Sequence, residues 1–581
     1  MFNKQTDRVH LVLPIHDLID CISSIDPDQR WEPHERKIAS RDPVPTCLYD
    51  LTRKEPMMAH NIHNISFRTL SSSSPSAAWQ WPVIILAIGT FMALLDGSIV
   101  NIAIPHIEAA FGVNTLSVQW IVTAYLLTMG AIIPITGYLS DKWGPRQIYL
   151  VSLGLFTLGS CLAGLAPSLA WLIVFRILQA IGGGLIIPLT QALIYRLVPS
   201  DRLGRAMGWW GLSVVMAPAL GPVLGGYLIQ SVSWRLIFFI NVPIGILGLI
   251  LAYGSLPHFK HGKSQRFDGW GMVLSSGGLF GVLLVLSQAP RWGWMSETSL
   301  LTGVFSFTAL VLFTLWELRI PHPLLDLRVM RHKAFVLANI VMFVSGLGLN
   351  AMVFYVPLYL QTVAGRSPLN AGLQMMPQAL MIAVVMPLAG RLYNRVGARW
   401  LVMAGLIVQA WGTWLLHDLG PITPFQILAE WLMIRGMGRG LYMMPLVTAG
   451  MQAVKTEEAV AASVINNVVQ RISGSFGLAL MVALVQNRTA VHLNRLSAAL
   501  TPQSPQSTAL LHKLHILAVK NGMASHAIAP WSLTLISGWL QSQAFGLSID
   551  DLAIAVTGLT ALAAILACVL PSTRNLRDTK Q

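Results

Sequence analysis

The sequence GYLSDKWGPR at residues 137–146 returns in altered form as GRLYNRVGAR at residues 390–399. Glycine, leucine, glycine and arginine stand at the same offsets in the two copies, which lie 253 residues apart. Each copy directly follows a long apolar run, the second run of the chain in one case and the tenth in the other. Parallel repeats of this kind are typical of membrane transporters, so the sequence predicts a chain built from two related halves.

The composition points to a membrane as well. Of 581 residues, 11% are charged and 54% are apolar, whereas soluble domains carry about 25% charged residues. So few charges cannot cover the surface of a soluble protein, which argues against a soluble enzyme, a disordered chain and a partner in nucleic acid. Cys161 and Cys568 lie in apolar runs and His60 and His63 form an isolated pair, so neither a disulfide nor a metal site is expected.

The apolar runs have the length of membrane spans. A bilayer core of about 30 Å needs about 20 apolar residues in a helix. Helices satisfy their own backbone hydrogen bonds in lipid, and continuous apolarity favours them over strands of a barrel. Fourteen runs meet this description: 82–104, 117–139, 147–166, 169–192, 204–229, 235–255, 270–288, 300–318, 335–360, 371–390, 400–417, 425–449, 461–485 and 549–571.

The repeat and the spans together predict an all-α polytopic membrane protein with two six-helix bundles and two inserted helices. We expect no signal peptide, because no apolar core follows a basic start; Met57 and Met58 are alternative start sites. The predicted segments are a disordered cytoplasmic tail at 1–79, a first half at 80–255, inserted helices at 256–330, a second half at 331–571 and a cytoplasmic tail at 572–581.

Basic residues predict the orientation. The short loops that follow odd-numbered spans contain three basic residues, Arg235, Arg291 and Arg366, and the loops that follow even-numbered spans contain many more. Because Lys and Arg are enriched in cytoplasmic loops, the loops after even-numbered spans are predicted to lie inside the cell. An even number of spans then puts both termini there. The loops that follow even-numbered spans contain Lys142, Arg146, Arg196, Arg202, Arg205, Lys260, Lys263, Arg266, Arg319, Arg328, Arg331, Lys333, Arg391, Arg395, Arg399 and Lys455.

Residues 486–548 form a long predicted non-spanning segment, which faces outward between the last two spans. Apolar residues from Leu510 to Ala518 recur at helical spacing and predict a short amphipathic helix. Two interpretations stay open. The helix lies on the membrane surface, or it docks a partner from the cell envelope.

Six short motifs occur in order along the spans, at 95–105, 119–125, 137–146, 176–184, 208–226 and 234–245. Together they resemble the major facilitator superfamily in its fourteen-span drug:proton antiporter branch. Two positions depart from the pattern of the branch, since Gly97 stands where a larger residue is usual and Ala217 where a glycine is usual. The resemblance covers most of residues 80–571.

The resemblance implies a secondary active transporter rather than an enzyme. It implies proton-coupled multidrug efflux of amphipathic organic compounds across the bacterial inner membrane by alternating access. The proton is then the coupling ion, and no other cofactor is expected, because no nucleotide-binding loop is present. A periplasmic adaptor and an outer-membrane channel are the implied partners besides substrate and lipid. A dedicated metabolite or siderophore exporter and a non-transporting sensor or scaffold are the alternatives.

Asp96 and Arg176 are the predicted proton-coupling residues. A carboxylate in the bilayer costs about 2.5–3.5 kcal/mol on insertion scales, so Asp96 in span 1 is a candidate for proton exchange. The other interpretation is a carboxylate that only bonds neighbouring backbone. Arg176 in span 4 keeps its charge and needs oxygen partners, with Asp96 as the candidate. Its alternative is a structural role, bonded to carbonyl groups or to Gln179.

The resemblance assigns two groups of residues to gating. Gly137, Asp141, Gly144 and Arg146 form the loop motif, in which Asp141 is expected to cap a helix or pair across the interface between the halves. The alternative is an ordinary basic cytoplasmic loop. The second group lies in span 5, where it is expected to form a hinge or a tight seal. The alternative is that these residues only allow close packing of helices. Its residues are Gly221, Pro222, Gly225 and Gly226.

Polar residues within the spans are the remaining candidates. Asn101, Gln119, Tyr125 and Gln179 are the candidates for contact with substrate in the cavity. A secondary set, for which a structural role is favoured, contains Glu430, Arg435, Arg439 and Arg471.

Overall fold

The computed structural model describes residues 79–199, 201–258, 267–321, 323–499, 505–521 and 524–570. Within these ranges the chain is helical, with short turns and no strand. The predicted tails at 1–79 and 572–581 lie outside the described residues except for Trp79, as do His60 and His63. The predicted all-α class is confirmed for the part of the chain that is described.

The first half begins with a long helix, and a 3-10 turn, Ile133–Ile135, interrupts its second span. Pro134 lies in this turn, between Trp120–Ile132 and Thr136–Trp143, where its missing N–H group does not interrupt an α-helical ladder. The helices are α1 Gln80–Phe111, α2 Thr115–Val118, α3 Trp120–Ile132, α4 Thr136–Trp143, α5 Pro145–Gly164, α6 Leu169–Leu197, α7 Leu203–Ser231, α8 Leu236–Phe239 and α9 Asn241–Ser255.

An inserted hairpin and the second half follow. The inserted helices are α10 Gly269–Trp292 and α11 Glu297–Glu317, which pack against each other. The second half contains α12 Lys333–Thr362, α13 Pro368–Val396, α14 Ala398–Leu415, α15 Phe425–Gln452, α16 Ala459–Ala499, α17 Pro505–Lys520 and α18 Ser525–Ala567. The largest cluster of buried apolar side chains includes Trp210 of α7 and Met444 of α15, so the two halves share one core.

The described helices are consistent with fourteen spans. Twelve of them are long and apolar enough to cross a bilayer. A thirteenth is α7, which bends by 43° between Leu203–Pro218 and Val223–Ile229. The remaining predicted span, 425–449, coincides with α15, but Glu430, Arg435 and Arg439 reduce the apolar character of that helix. Its crossing of the membrane stays a prediction.

The segment 486–548, predicted to be a non-spanning loop with one short helix, is mostly helical in its described residues. Helix α16 continues to Ala499 and α18 begins at Ser525, so these helices contain 41 and 43 residues. At 1.5 Å per residue, each is about 60 Å long, twice the bilayer core. Hydropathy predicts which residues lie in lipid. A helix does not have to end where the apolar run ends, because polar residues also form helix. The helix predicted near residues 510–518 is confirmed as α17.

Residues 495–540 belong to a unit that is separate from residues 75–494 and 541–581. It includes α17 and the adjoining ends of α16 and α18. Within α17, Leu514 and Ala518 are buried, as expected for the apolar face of an amphipathic helix. The outward orientation of this segment stays a prediction.

Glycines set the spacing of neighbouring helices in both halves. A Cβ atom on Gly182 of α6 would lie 2.5 Å from the backbone nitrogen of Phe156 in α5. In the second half, a Cβ on Gly438 of α15 would lie 2.6 Å from the carbonyl oxygen of Gly405 in α14. Small residues let helix backbones approach closely in membranes, and the same packing therefore occurs twice in the fold.

Gly182→Ala is expected to destabilise the protein, because the added methyl group meets backbone atoms that no side-chain rotation can move. Overpacking of this kind costs about 1–3 kcal/mol. The measurement is the temperature at which the purified protein loses its monodisperse peak in detergent. Gly154→Ala in α5 is the matched control, since its Cβ would meet nothing within 4 Å. Equal midpoints for the two variants would contradict the packing described here.

Candidate functional site

Asp96 is the centre of a buried polar cluster in the first half. Its side chain, on α1, is 0% exposed. One carboxylate oxygen accepts a hydrogen bond from Nη1 of Arg176, and the two side chains form an ion pair. The other oxygen accepts from Nε2 of Gln179 at 2.9 Å and from Nδ2 of Asn241 at 3.2 Å. Helices α1, α6 and α9 are thus joined through one carboxyl group.

Arg176 is held on several sides. It is 1% exposed, and Nη1 also donates to Oε1 of Gln179 at 2.8 Å. The guanidinium carbon lies 3.8 Å from the ring centroid of Tyr125, which favours the cation. The hydroxyl of Tyr125 donates to the carbonyl of Ala93 at 3.1 Å and fixes the ring against α1.

Asn241 is a member of the cluster that sequence reasoning did not select. Its Nδ2 also donates to the hydroxyl of Ser160 at 3.1 Å, and that hydroxyl donates to the carbonyl of Phe238 at 2.8 Å. Asn241 lies within the motif at 234–245, and a lone amide in an apolar run is the signal that could have found it. Polar side chains in membrane helices seek hydrogen-bond partners in this way.

The predicted contact between Asp96 and Arg176 is confirmed. Arg176 combines both interpretations, because it pairs with Asp96 and also bonds Gln179. In this conformation both carboxylate oxygens of Asp96 accept hydrogen bonds from neighbouring side chains. The role of the pair in proton transfer stays a prediction.

A central cavity of about 390 Å³ lies between the two halves. Its walls are formed by α1, α3, α6, α7 and α10 on one side and by α12, α15 and α16 on the other. Leu94 and Leu126 line it, and they are close in sequence to Asp96 and Tyr125. The Asp96 cluster thus lies behind the cavity wall. Leu94 belongs to the same helix as Asp96, so a movement of this helix displaces both the cluster and the cavity wall.

The four candidates for substrate contact lie away from the lining of this cavity. Asn101 is exposed and donates to the carbonyl of Gly97 at 3.4 Å. Gln119 stands just before α3. Tyr125 and Gln179 are buried in the Asp96 cluster. In this conformation Tyr125 packs its ring against Arg176, and Gln179 forms hydrogen bonds with both Asp96 and Arg176. Contact of any of the four residues with substrate stays a prediction.

The loop motif connects parts of the first half. Gly144 has φ of 83°, a conformation that favours glycine, and it separates α4 from α5. Arg146 is buried, contacts the ring nitrogen of His258 and donates from Nη2 to the carbonyl of Tyr253 at 2.5 Å. The motif is therefore bound through Arg146 to the C-terminal end of α9 and the residues that follow it.

Asp141 and Gly137 occupy different surroundings. Asp141 is exposed near the end of α4, and Arg196 is near enough for its positive charge to attract the carboxylate of Asp141. A Cβ on Gly137 would lie 3.1 Å from the carbonyl oxygen of Leu324, which follows the inserted hairpin. Asp141 as a gate between the halves stays a prediction.

The glycines of α7 differ in what they contact. A Cβ on Gly221 would overlap the hydroxyl of Ser98, and one on Gly225 would lie 2.8 Å from Ile99. Both glycines therefore bring α7 close to α1 beside Asp96. Gly226 has open space within 4 Å. Pro222 lies between the two segments of the 43° bend, and its side chain lies outside the described residues.

The two halves meet at the ends predicted to be cytoplasmic. A Cβ on Gly204 of α7 would lie 2.8 Å from the carbonyl oxygen of Gly390 in α13. Nearby, Nδ2 of Asn394 donates to the carbonyl of Asp201. The hydroxyl of Tyr195 donates to the carbonyl of Val454 at 3.0 Å. The structure is thus closed at these ends, and the second copy of the repeated motif contributes to the closure through Gly390.

No group of three or more His, Cys, Asp or Glu side chains that could hold a metal ion occurs in the described ranges. Within them, Cys161 and Cys568 are free thiols.

Comparison with known proteins gives a family and several relatives. The family model described as Major Facilitator Superfamily matches residues 86–478. A multidrug resistance protein B homolog of Mycobacterium tuberculosis is 35% identical over 429 residues, which are 72% of this chain and 79% of that protein. The multidrug export protein EmrB of Haemophilus influenzae is 30% identical over 447 residues, 76% of this chain and 88% of that protein.

A solved structure shares the fold. The proton:xylose symporter XylE matches with a TM-score of 0.54 and 14% sequence identity, over 87% of this chain and 100% of that chain. At this identity the likeness concerns the fold alone. It agrees with the two related bundles that the repeated motif predicts.

Proposed function

This chain belongs to the major facilitator superfamily, and from that premise we propose that it exports amphipathic organic compounds in exchange for protons. Family membership makes it a multi-pass membrane transporter, as the sequence motifs predicted. The names of the two bacterial relatives, which refer to multidrug resistance and multidrug export, support drugs or toxic metabolites as the cargo.

The observation that carries the proposal is the buried Asp96–Arg176 pair behind the wall of the central cavity. A carboxylate that is closed off from water and tied to a permanent cation can change its protonation only when the surrounding helices move. Helix movement is also what opens the cavity to one side or the other. The same movement thus couples proton binding to cargo release.

The closed contact between Gly204 and Gly390 supports alternating access. In the proposed cycle, this contact separates the cavity from the cytoplasm and opens when the halves rock. A proton that enters through 100 mV provides about 2.3 kcal/mol before any pH gradient is counted. We place the protein in the bacterial inner membrane with both termini in the cytoplasm. A periplasmic adaptor and an outer-membrane channel are proposed partners.

Everted vesicles that contain the protein are expected to exchange protons for cargo. The lumen is first acidified, and a hydrophobic drug or dye is then added. Because export into the lumen releases protons from it, the fluorescence of an acridine pH probe should recover. Vesicles without the protein are the control, and a protonophore should abolish drug accumulation. Drug uptake that is the same with and without the gradient would refute proton coupling.

A further inference from the structure

We propose that the central cavity selects amphipathic organic anions and that Arg471 of α16 binds their negative charge. This inference rests on the proposed export function and names its substrate class. It arises from the charge of the cavity wall, which the Asp96 cluster does not explain.

The wall of the cavity is mainly apolar. Leu94, Met129, Trp210, Leu283 and Met444 are among the apolar residues, and they suit a hydrophobic body. The polar residues of the lining are neutral except for one. Arg471 is the only ionisable residue among the described residues that line the cavity, and no carboxylate is part of this lining.

The charge of Arg471 has no acidic partner among the described residues. Its hydrogen bond there runs from Nη2 to the carbonyl of Leu126 at 2.7 Å, which uses one of five N–H donors. A guanidinium keeps its proton, so the cavity retains a positive charge within the bilayer. This charge is stabilised by an anion that brings oxygen acceptors in a planar arrangement, as a carboxylate does.

The nearby carboxylate does not offset this charge. Asp96 is already paired with Arg176 and accepts hydrogen bonds from Gln179 and Asn241. Its negative charge is therefore balanced within the cluster. An organic cation in the cavity would face the positive charge of Arg471, and the described lining offers no carboxylate to attract it. Like charges in a medium of low dielectric repel strongly.

The second half adds positive charge on α15, a helix that also contributes residues to the cavity wall. Arg435 of α15 is buried and donates to Oε1 of Gln378 at 2.9 Å, but its Nε and Nη2 have no partner among the described residues. Arg439 follows one turn later, and Met443, a further turn along α15, lines the cavity. These two arginines make the potential of the cavity more favourable to an anion.

Amide groups around Arg471 complete the site. Gln470 and Asn350 line the cavity beside it and provide neutral N–H donors. Asn467, one turn earlier on α16, donates to Oε1 of Gln191 at 2.9 Å and to the carbonyl of Ser463 at 2.7 Å. The contact with Gln191 ties α16 to α6 and holds this face of α16 toward the cavity.

A matched pair of probes tests the inference by binding alone. The probes are 11-(dansylamino)undecanoic acid and its primary amide, which differ only in the charge of the head group. Fluorescence titration of the purified protein in nanodiscs at pH 7.4 should show at least about tenfold tighter binding of the acid, because charged hydrogen bonds exceed neutral ones. Equal binding of acid and amide by the unaltered protein would overturn the proposal without any variant.

Variants then identify the residue. Arg471→Gln should weaken binding of the acid by about 10- to 100-fold and leave binding of the amide unchanged. Arg471→Lys should keep the preference for the acid, and its loss there would count against charge recognition. Arg488→Gln is the control, because Arg488 lies on the same helix outside the cavity lining and pairs with Asp551 at 3.5 Å. It should bind both probes as the unaltered protein does.

Transport of the same probes separates the two proposals. If the acid binds more tightly but neither probe drives proton release from everted vesicles, the export function fails and the anion site stands. If both probes are exported at equal rates and bind equally, the export function stands and the anion site fails.

Discussion

Replacement of Asp96 by asparagine is expected to reduce proton-driven efflux to the level of membranes that lack the protein. The amide keeps the shape of the side chain but can neither carry a negative charge nor take up the transported proton. The carboxylate bonds Arg176, Gln179 and Asn241 in the closed structure. Its loss removes the group whose protonation would be linked to movement of these helices. Dye accumulation in everted vesicles with an imposed pH gradient measures the effect.

The stability of the variant must be separated from its transport. Asp96→Asn leaves the cation of Arg176 buried without its counter-charge, and breaking a buried pair costs about 3–5 kcal/mol. A double variant, Asp96→Asn with Arg176→Gln, removes both charges and should recover much of the thermal stability. It should still lack proton-driven efflux, because the proton acceptor is missing.

Glu108→Gln provides the control for Asp96→Asn. Glu108 is another carboxylate of α1 and lies outside the Asp96 cluster. It should retain efflux. The proposed coupling is wrong if Asp96→Asn supports the same protonophore-sensitive efflux as the unaltered protein.

Gly390→Ala is expected to open the contact between the halves and to slow transport. The added Cβ would overlap the carbonyl oxygen of Gly204, and it would lie 3.5 Å from the Cα of Arg205. Backbone atoms cannot rotate away, so the closed contact is strained by about 1–3 kcal/mol. The population closed at this end should fall by about 5- to 150-fold relative to the open one.

Distances between spin labels at residues 205 and 391 measure this shift. Both positions are exposed, and they belong to α7 and α13 on opposite sides of the contact. The distance distribution should move to longer values in Gly390→Ala, with a matching fall in the efflux rate. Gly372→Ala, on the same helix with nothing within 4 Å of its Cβ, is the control. An unchanged distribution in Gly390→Ala would mean that this contact does not close the cytoplasmic end.

Sequence patterns predicted the helices better than their ends. Apolar runs predicted the position of the spans, because lipid requires a continuous apolar stretch. The same criterion missed the continuation of α16 to Ala499 and the early start of α18 at Ser525. The extensions mix polar with apolar residues and so lack the continuous apolar run by which the spans were predicted. Helix propensity requires no such run.

The candidate site was predicted in part. Asp96 and Arg176 stood out because charges are rare inside a span, and the structure brings them together. Asn241 was missed because an amide among apolar residues has many structural roles. Arg471 was selected only as a secondary candidate, since nothing in its local sequence shows that it faces a cavity.

By itself, the sequence determined that the chain is a helical membrane protein with a repeated architecture, because length, apolarity and repeated motifs are properties of the chain read in order. Only the tertiary structure decided which polar groups meet. Asp96 and Asn241 are 145 residues apart, and Gln191 and Asn467 are 276 apart. Such contacts depend on how each helix is rotated and where it crosses its neighbours, and these are set by side-chain packing among all the helices together.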